Sequence, residues 1–454
     1  MQRVQELAYG LFSCTGRVTI SGMLIAIGKQ FVDWTAAYSL FWGNRINMDK
    51  IFNVALQVSL QQLDKAQMIV AHLDDTIIRK VGKKIAGTSW RRDPLGPAFH
   101  TNFIWAQRFM QISVSVHGSN LNSQSRAIPV DFHHCPSVKK PGKNHTPEEL
   151  AMYKDAQKQC NLNTQAVKRI VLLREEVDKN GASDREIYLS VDGSYTNKTI
   201  FKGLPQRVTL IGRIRKDAKL SYKPENIKTK GRNIIYGPDA PTPEQVRADE
   251  NIAWQTVKGW AAGKVHNFRV KVIQALKWRS AGKNHTLQMV IIAPLGYRLK
   301  KGGKMLYRQP AYLICTDNVL SIEKLLQAYL WRWEIEVNFR EEKTTNGCGQ
   351  AQVRNEVAAE KVPQFVVAMH AFLNLANHIA LKTKTDLSLP KAKWEKQNDS
   401  SRNSTNNLLN LFKGYYWHEK MGKSFYDFVV DQHKKTKSIN HISNVISPVF
   451  YMRR

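Results

Sequence analysis

The sequence predicts an α/β fold with a helical N-terminal domain and a β-rich insertion, on three observations. Short apolar runs stop at acidic residues, as in QMIVAHLDDT and EIYLSVDG. Such runs read as buried strands that deliver carboxylates to their ends. Segments of helical period separate them. Residues 216–309 have a third character, with strand-like pieces set between loops.

The N-terminal segment, residues 1–66, carries helical periodicity, for example MDKIFNVALQVSLQQL, and no alternation of strand type. It is expected to form a helical domain. Residues 67–215 are expected to hold the first part of an α/β core. There the run before Asp74, Asp75 and Thr76 makes one strand, and TNFIWAQRFMQISVSVHG (101–118) reads as two more. Thr146-Pro147-Glu148 is a helix start. The helix it opens runs with a break to Asn180-Gly181. REIYLSVDGSY and RVTLIGRIR supply two further strands.

Residues 216–309 form the expected insertion, built from FRVKVIQALKW, TLQMVIIAPLGY and the basic turn RLKKGGK. Residues 310–381 complete the core, with a buried strand in AYLICTD and a long helix from about Ser321. The segment 365–381 is apolar but interrupted by His370, Asn374, Asn377 and His378, so it reads as a buried amphipathic helix. Residues 382–454 are basic and polar, with Trp394, Tyr415, Tyr416 and Trp417 scattered through them, and carry no chemistry that the sequence declares.

The charge narrows the partner. Lys and Arg number 68 against 37 Asp and Glu, a net charge of +31 over 454 residues. A field of that sign attracts polyanions and speeds encounter with them. A ribosomal or RNA-binding factor would explain this charge and nothing else. Four basic stretches, RKVGKK (79–84), SWRRD (89–93), RIRKDAK (213–219) and RLKKGGK (298–304), are candidate phosphate contacts or plain solvated loops. No window reaches about 18 uninterrupted apolar residues, so no membrane span is expected. No signal-type N-terminus is visible. The five cysteines include no C-x-x-C pair, and their odd number argues against a disulfide framework. A reducing cytoplasm fits. His133, His134 and Cys135 adjoin one another, but zinc ligands converge when spaced by two to four residues. A loop without metal is the reading there.

The richest stretch is YLWRWEIEVNFREEK, residues 329–343. At about 100° per residue, Arg332, Glu336 and Lys343 fall at about 300°, 340° and 320° from Tyr329. One helical stripe roughly 60° wide thus carries a phenol, a guanidinium, a carboxylate and an ammonium. A solvated face of i,i+4 pairs would look similar. Trp331, Trp333 and Phe339 among the charges argue against that. Three carboxylates, Asp74, Asp192 and Glu336, have the chemistry to hold two hard divalent cations and to cut a phosphodiester. Cationic and phenolic groups nearby would grip the flanking phosphates. Asp75 is an alternative to Asp74, since neighbours on a strand face opposite sides. Asp317, which also ends an apolar strand, is an alternative to Asp192, its other reading being a cap before the helix at Ser321. Trp331 and Trp333 are candidates to stack on an extruded base or to pack against the core sheet, packing being the reading for at least one of them; Trp333 lies nearer the stripe and is the preferred stacking residue.

The spacing Tyr329-x₂-Arg332-x₃-Glu336-x₆-Lys343 resembles the signature of DDE transposases of the insertion sequence 4 family and relatives. Asp74-Asp75-Thr76 resembles their D-x-T, and SVDGSY their second acid; the likeness spans roughly residues 68–380. It implies a ribonuclease H-like mixed sheet flanked by helices, with the β insertion between the second and third acids. It also implies metal binding and catalysis by Asp74, Asp192 and Glu336, with two Mg²⁺ ions or Mn²⁺ in their place. DNA contacts would come from Tyr329, Arg332, Trp333 and Lys343. The partners implied are double-stranded DNA, as element ends and target, and a second copy in the assembled complex. The location implied is the cytoplasm, on the nucleoid. A silent DNA-binding descendant and a nuclease without strand transfer are the alternatives.

Overall fold

The computed structural model describes residues 2–93, 96–97, 99–225, 233–300, 302–382, 389, 404–422 and 424. The chain divides into two compact units. The first holds Met1–Ala55, Ile77–Arg108 and Val337–Arg454; the second holds Leu56–Thr76 and Phe109–Glu336.

The N-terminal segment is helical as expected, with α1 (Gln2–Ser13), α2 (Ile20–Ala26), α3 (Thr35–Trp42) and α4 (Met48–Gln61). Strands β1 (Ile69–Arg79), β2 (Ser89–Arg92), β3 (Phe103–His117) and β4 (Ser125–His134) follow. Two expectations change here. β1 does not stop at Asp74 but runs on through the β-branched Thr76-Ile77-Ile78, which suit a strand. Residues 101–118 form the single strand β3, because no turn-forming residue interrupts Phe103–His117. Pro129, inside β4, sits where the register shifts between Ile112 and Ser113, a bulge that accommodates a residue with no amide hydrogen. His133 and His134 end this strand rather than lying in a loop.

Helices α5 (Pro147–Gln159) and α6 (Leu162–Val177) come next. Thr146 and Glu149 close a capping box on α5, and Asn161 caps α6, which marks the break foreseen in this helix. Then come β5 (Ile187–Val191), α7 (Lys198–Gly203), β6 (Val208–Arg213), β7 (Leu220–Tyr222) and β8 (Asp239–Ala240). After them run α8 (Pro243–Ala248), β9 (Gln255–Ala261), β10 (Lys264–Lys277), β11 (Leu287–Ile292), β12 (Gly296–Tyr297), β13 (Leu306–Tyr307) and β14 (Ala311–Cys315). The chain closes with α9 (Ile322–Trp331), α10 (Trp333–Thr344), α11 (Glu356–Lys382) and α12 (Thr405–Lys420).

The second unit is built on a ribonuclease H-like mixed sheet. β1, β5 and β6 run parallel; β14, β11 and β10 continue the sheet antiparallel. The long strands of the expected β insertion therefore extend the central sheet. Helices cover both faces. Ala71, Leu73, Leu189, Val191 and Leu210 pack against Ala166, Ile170 and Leu173 of α6. Val70, Ile211 and Leu313 pack against Leu325, Leu326, Ala328 and Trp331 of α9. Odd and even positions of one strand thus serve two cores, which is why these strands read as continuous apolar runs.

In the first unit α11 carries His370 and Asn374 fully buried, with the His370 ring hydrogen-bonded to the Asn346 and Asn374 side chains. These polar residues are core members, and among the described residues no helix is long and apolar enough to cross a membrane. Tyr416 and Phe412 of α12 pack on Tyr9 of α1, with ring centroids 5.5 Å apart in each pair. Trp394 lies outside the described residues.

One glycine has a steric task beside the carboxylates. A Cβ on Gly212 of β6 would stand 2.3 Å from the Thr196 hydroxyl, and that hydroxyl donates to the Asp192 carbonyl at 2.8 Å. Gly212→Val is expected to destabilise the protein by about 1–3 kcal/mol through overpacking, read from the urea midpoint. An unchanged midpoint would show that the turn after β5 is not held against β6.

Candidate active site

The register of β1 and β5 sets Leu73 opposite Val191. The next residues are Asp74 and Asp192, so two carboxylates stand side by side on adjacent parallel strands. Side chains alternate across a strand. His72 and Asp74, like Ser190 and Asp192, therefore project from the face that α9 covers. The Ser190 hydroxyl donates to the Ala328 carbonyl of α9 at 2.9 Å. The imidazole of His72 lies 2.8 Å from the Ser115 hydroxyl and is held neutral, pushed down to about 3 by burial and by the positive charge of Arg332.

Asp192 ends β5 and caps the turn that follows. Its Oδ1 accepts from the Ser194 amide at 2.9 Å, the Ser194 hydroxyl at 2.6 Å and the Tyr195 amide at 3.4 Å. Asp74 accepts the Asp75 amide at Oδ1, 2.8 Å away. Its Oδ2 lies 3.4 Å from Arg332, whose other terminal nitrogen lies 2.7 Å from Glu336. The order is therefore Asp192, Asp74, Arg332, Glu336, with a half-buried guanidinium between two carboxylates. The Arg332 guanidinium also lies 5.9 Å from the Tyr329 ring.

The expected long helix is broken at Arg332. The amide of Arg332 bonds to the Tyr329 carbonyl, and that of Ile335 to the Arg332 carbonyl, both at 3.1 Å. These i→i−3 bonds tighten the turn, so the stripe belongs to two successive helices. Tyr329, Arg332 and Glu336 lie in the second unit; Lys343 belongs to the first, its ammonium 5.9 Å from the Phe339 ring and pushed below its ordinary pKa by burial. Trp331 is a core residue, stacked on His117 at 4.4 Å and donating its indole N–H to the Ser123 carbonyl at 3.0 Å. Trp333 is 59% exposed.

The two alternative acids have other partners. Asp75 projects from the opposite face of β1 and accepts the Tyr195 hydroxyl at 2.7 Å. β14 runs antiparallel to β6, with Cys315 opposite Ile211, so Asp317 lies near the starting ends of the parallel strands, away from Asp74 and Asp192. Its carboxylate accepts the amides of Val319 and Leu320 at 2.9 and 3.2 Å, a turn before α9. The Asp75–Tyr195 bond was not foreseeable. Tyr195 follows Asp192 by three residues, but nothing in that spacing says its hydroxyl reaches β1.

The chain belongs to the DDE superfamily of endonucleases: residues 1–284 match the family described as DDE superfamily endonuclease. The matched residues include Asp74 and Asp192 and end before Glu336. No curated protein matches the chain. Endonucleases of this superfamily typically use divalent metal ions, and the donors here suit a hard cation. They are all oxygens, and Asp74 carries a charge that its surroundings disfavour. Burial first, and Asp192 second, push its carboxyl up to about 7 against the pull of Arg332. A cation beside the pair would relieve that cost. Among the described residues no three acidic, histidine or cysteine side chains converge on one point, since Arg332 stands between Asp74 and Glu336. His133 instead lies 3.1 Å from the Gln165 amide oxygen, and the His134 ring stacks on Phe109 at 4.9 Å.

The raised Asp74 has a measurable sign. The folded protein keeps this proton up to about pH 7, whereas the unfolded chain releases it at the ordinary aspartate value near 3.8. The stability it contributes is thus present at low pH and lost as pH rises through 7. Asp74→Asn is expected to be more stable than wild type at pH 8 without divalent metal, by on the order of 2 kcal/mol, with the difference closing toward pH 4. Chemical denaturation across pH tests this; a difference independent of pH would contradict it.

Proposed function

We propose that this protein is a DDE transposase of the insertion sequence 4 type, which cuts DNA at the ends of its element and transfers the 3′-hydroxyl ends to target DNA. The observation that carries the proposal is the side-by-side pair Asp74 and Asp192 on the face where α9 and α10 bring Arg332 and Glu336. The helix spacing Tyr329, Arg332, Glu336 and Lys343 agrees with the same group of enzymes.

In this reading Asp74, Asp192 and Glu336 hold two Mg²⁺ ions, or Mn²⁺ in their place. Such ions, when bound, activate water or a 3′-hydroxyl and stabilise the leaving oxygen of a phosphodiester. The remaining steps fall to the chain. Arg332 compensates the carboxylates until a phosphate offers its guanidinium a bidentate partner. Tyr329 and Lys343 grip flanking phosphates and fix the scissile bond in line. Trp333, exposed one residue beyond Arg332, gives an unstacked base a surface. Asp75 and Tyr195 act as positioning residues, fixing β1 to the turn that Asp192 caps. The net charge of +31 draws DNA to the protein. Acting on two ends requires two copies in the assembled complex.

An excision assay in cells tests the reading. A donor plasmid carries the native flanking DNA around a marker, with the protein supplied separately. Wild type is expected to leave a repaired empty site, and Glu336→Gln to reduce that product at least about 100-fold, as befits loss of a group that acts in the transition state. Excision by both would remove Glu336 from the chemistry. Cleaved ends with no joined product in a purified reaction would mark a nuclease without strand transfer. Excision by neither, with flank binding retained, would mark a silent DNA-binding descendant.

A further inference from the structure

The first unit carries a surface that the proposed chemistry does not use. β2 pairs antiparallel with β3, setting Trp90 opposite Trp105 and Arg92 opposite Phe103. The two-residue period puts these four side chains on one face of the ribbon. Arg91 and Ala106 occupy the other face and are buried. The outward face is open: Trp90 is 62% exposed, Phe103 is 57% exposed, and Arg92 is exposed.

Trp105 is fixed in place. Trp105 donates its indole N–H to the Gly82 carbonyl at 3.2 Å, and its own carbonyl accepts the Lys80 amide at 2.9 Å. Trp90 meets Trp105 edge to face, with centroids 5.5 Å apart at 71°. The fixed ring therefore holds the exposed one upright. The Gly82 contact also lays the 80–84 loop against the ribbon, and Lys83 and Lys84 of that loop are exposed. Aromatic surface left in water among cations suits a polyanion that also offers π-faces. A paired duplex presents phosphates but hides its base faces, so stacking here demands an unpaired base.

We propose that the outward face of the β2–β3 ribbon binds DNA carrying an unpaired base, with Trp90 stacking on the base and Arg92, Lys83 and Lys84 contacting the adjoining phosphates. The proposal rests on DNA being the substrate and adds a second contact surface to it. Two stretches of the sequence that were otherwise plain basic loops, RKVGKK and SWRRD, become parts of one site.

Fluorescence anisotropy of the full-length protein, without divalent metal, tests the proposal. The probes are a short duplex and the same duplex with one bulged adenine. Wild type is expected to prefer the bulged probe about tenfold, the scale of one stacked base. Trp90→Ala should abolish that preference while leaving duplex affinity within about twofold, and Trp90→Phe should retain most of it. Because Trp90 is exposed, Trp90→Ala should keep the wild-type melting temperature. The triple change Lys83→Gln, Lys84→Gln, Arg92→Gln should weaken both probes and flatten the salt dependence by about one unit of slope per lost contact.

A preference that survives Trp90→Ala, or that Trp333→Ala alone removes, would overturn the proposal. So would sedimentation in which Trp90→Ala dissolves a dimer while the preference stays, which would make the ribbon a face between two copies. Wild type that binds duplex with steep salt dependence but ignores the bulge overturns the ribbon alone. Wild type that binds neither probe overturns the DNA reading with it.

Discussion

Parallel pairing of β1 with β5, with Leu73 opposite Val191, is the constraint from which the rest of the site follows. It brings Asp74 and Asp192 together although 117 residues lie between them, and it fixes the face they share. The pairing is held by two cores, one under Ala71 and Leu189, the other under Val70 and α9. A slip of one residue would turn both carboxylates into the α6 core. The cost of such burial specifies the register as firmly as the hydrogen bonds do.

Placing two carboxylates at adjacent positions in a half-buried site is unfavourable by itself, and the chain answers with Arg332. The guanidinium lies within ion-pair distance of Asp74 and Glu336 at once. It holds the helix acid on the same side as the strand acids but keeps the three carboxylates from converging. Binding of cations and phosphate would exchange one set of charge partners for another, which lets the site form before its substrate arrives. The i→i−3 turn at Arg332 separates α9 from α10, and the guanidinium there reaches both Asp74 and Glu336.

Much of this was legible in the sequence because it rests on local patterns. The apolar runs before Asp74 and Asp192 specified buried strands, Thr146-Pro147-Glu148 specified a helix start, and the interrupted segment 365–381 specified a buried helix. The parity that separates Asp74 from Asp75 was also present, since Val70, His72 and Asp74 share one face; choosing between the faces required knowing which one α9 covers. Asp317 looked equivalent to Asp192 because an apolar strand ending in an acid does not reveal the direction of that strand in the sheet. β14 runs antiparallel, and this alone sends Asp317 to the other end. The stripe on residues 329–343 assumed an unbroken helix, and nothing in YLWRWE announces the tightened turn. The Trp90–Trp105 pairing was invisible because it depends on a strand register and not on spacing within one segment.

Metal binding tests the central claim most directly. Mn²⁺ titrated into the full-length protein and followed by electron paramagnetic resonance would report the site without any DNA. The account predicts that Asp74→Asn and Asp192→Asn each weaken Mn²⁺ binding by at least about tenfold, the loss expected when a ligand or its close support is removed, whereas Asp317→Asn binds as wild type does. Mn²⁺ affinity unchanged in Asp192→Asn, or lost in Asp317→Asn, would contradict the assignment of the carboxylate pair.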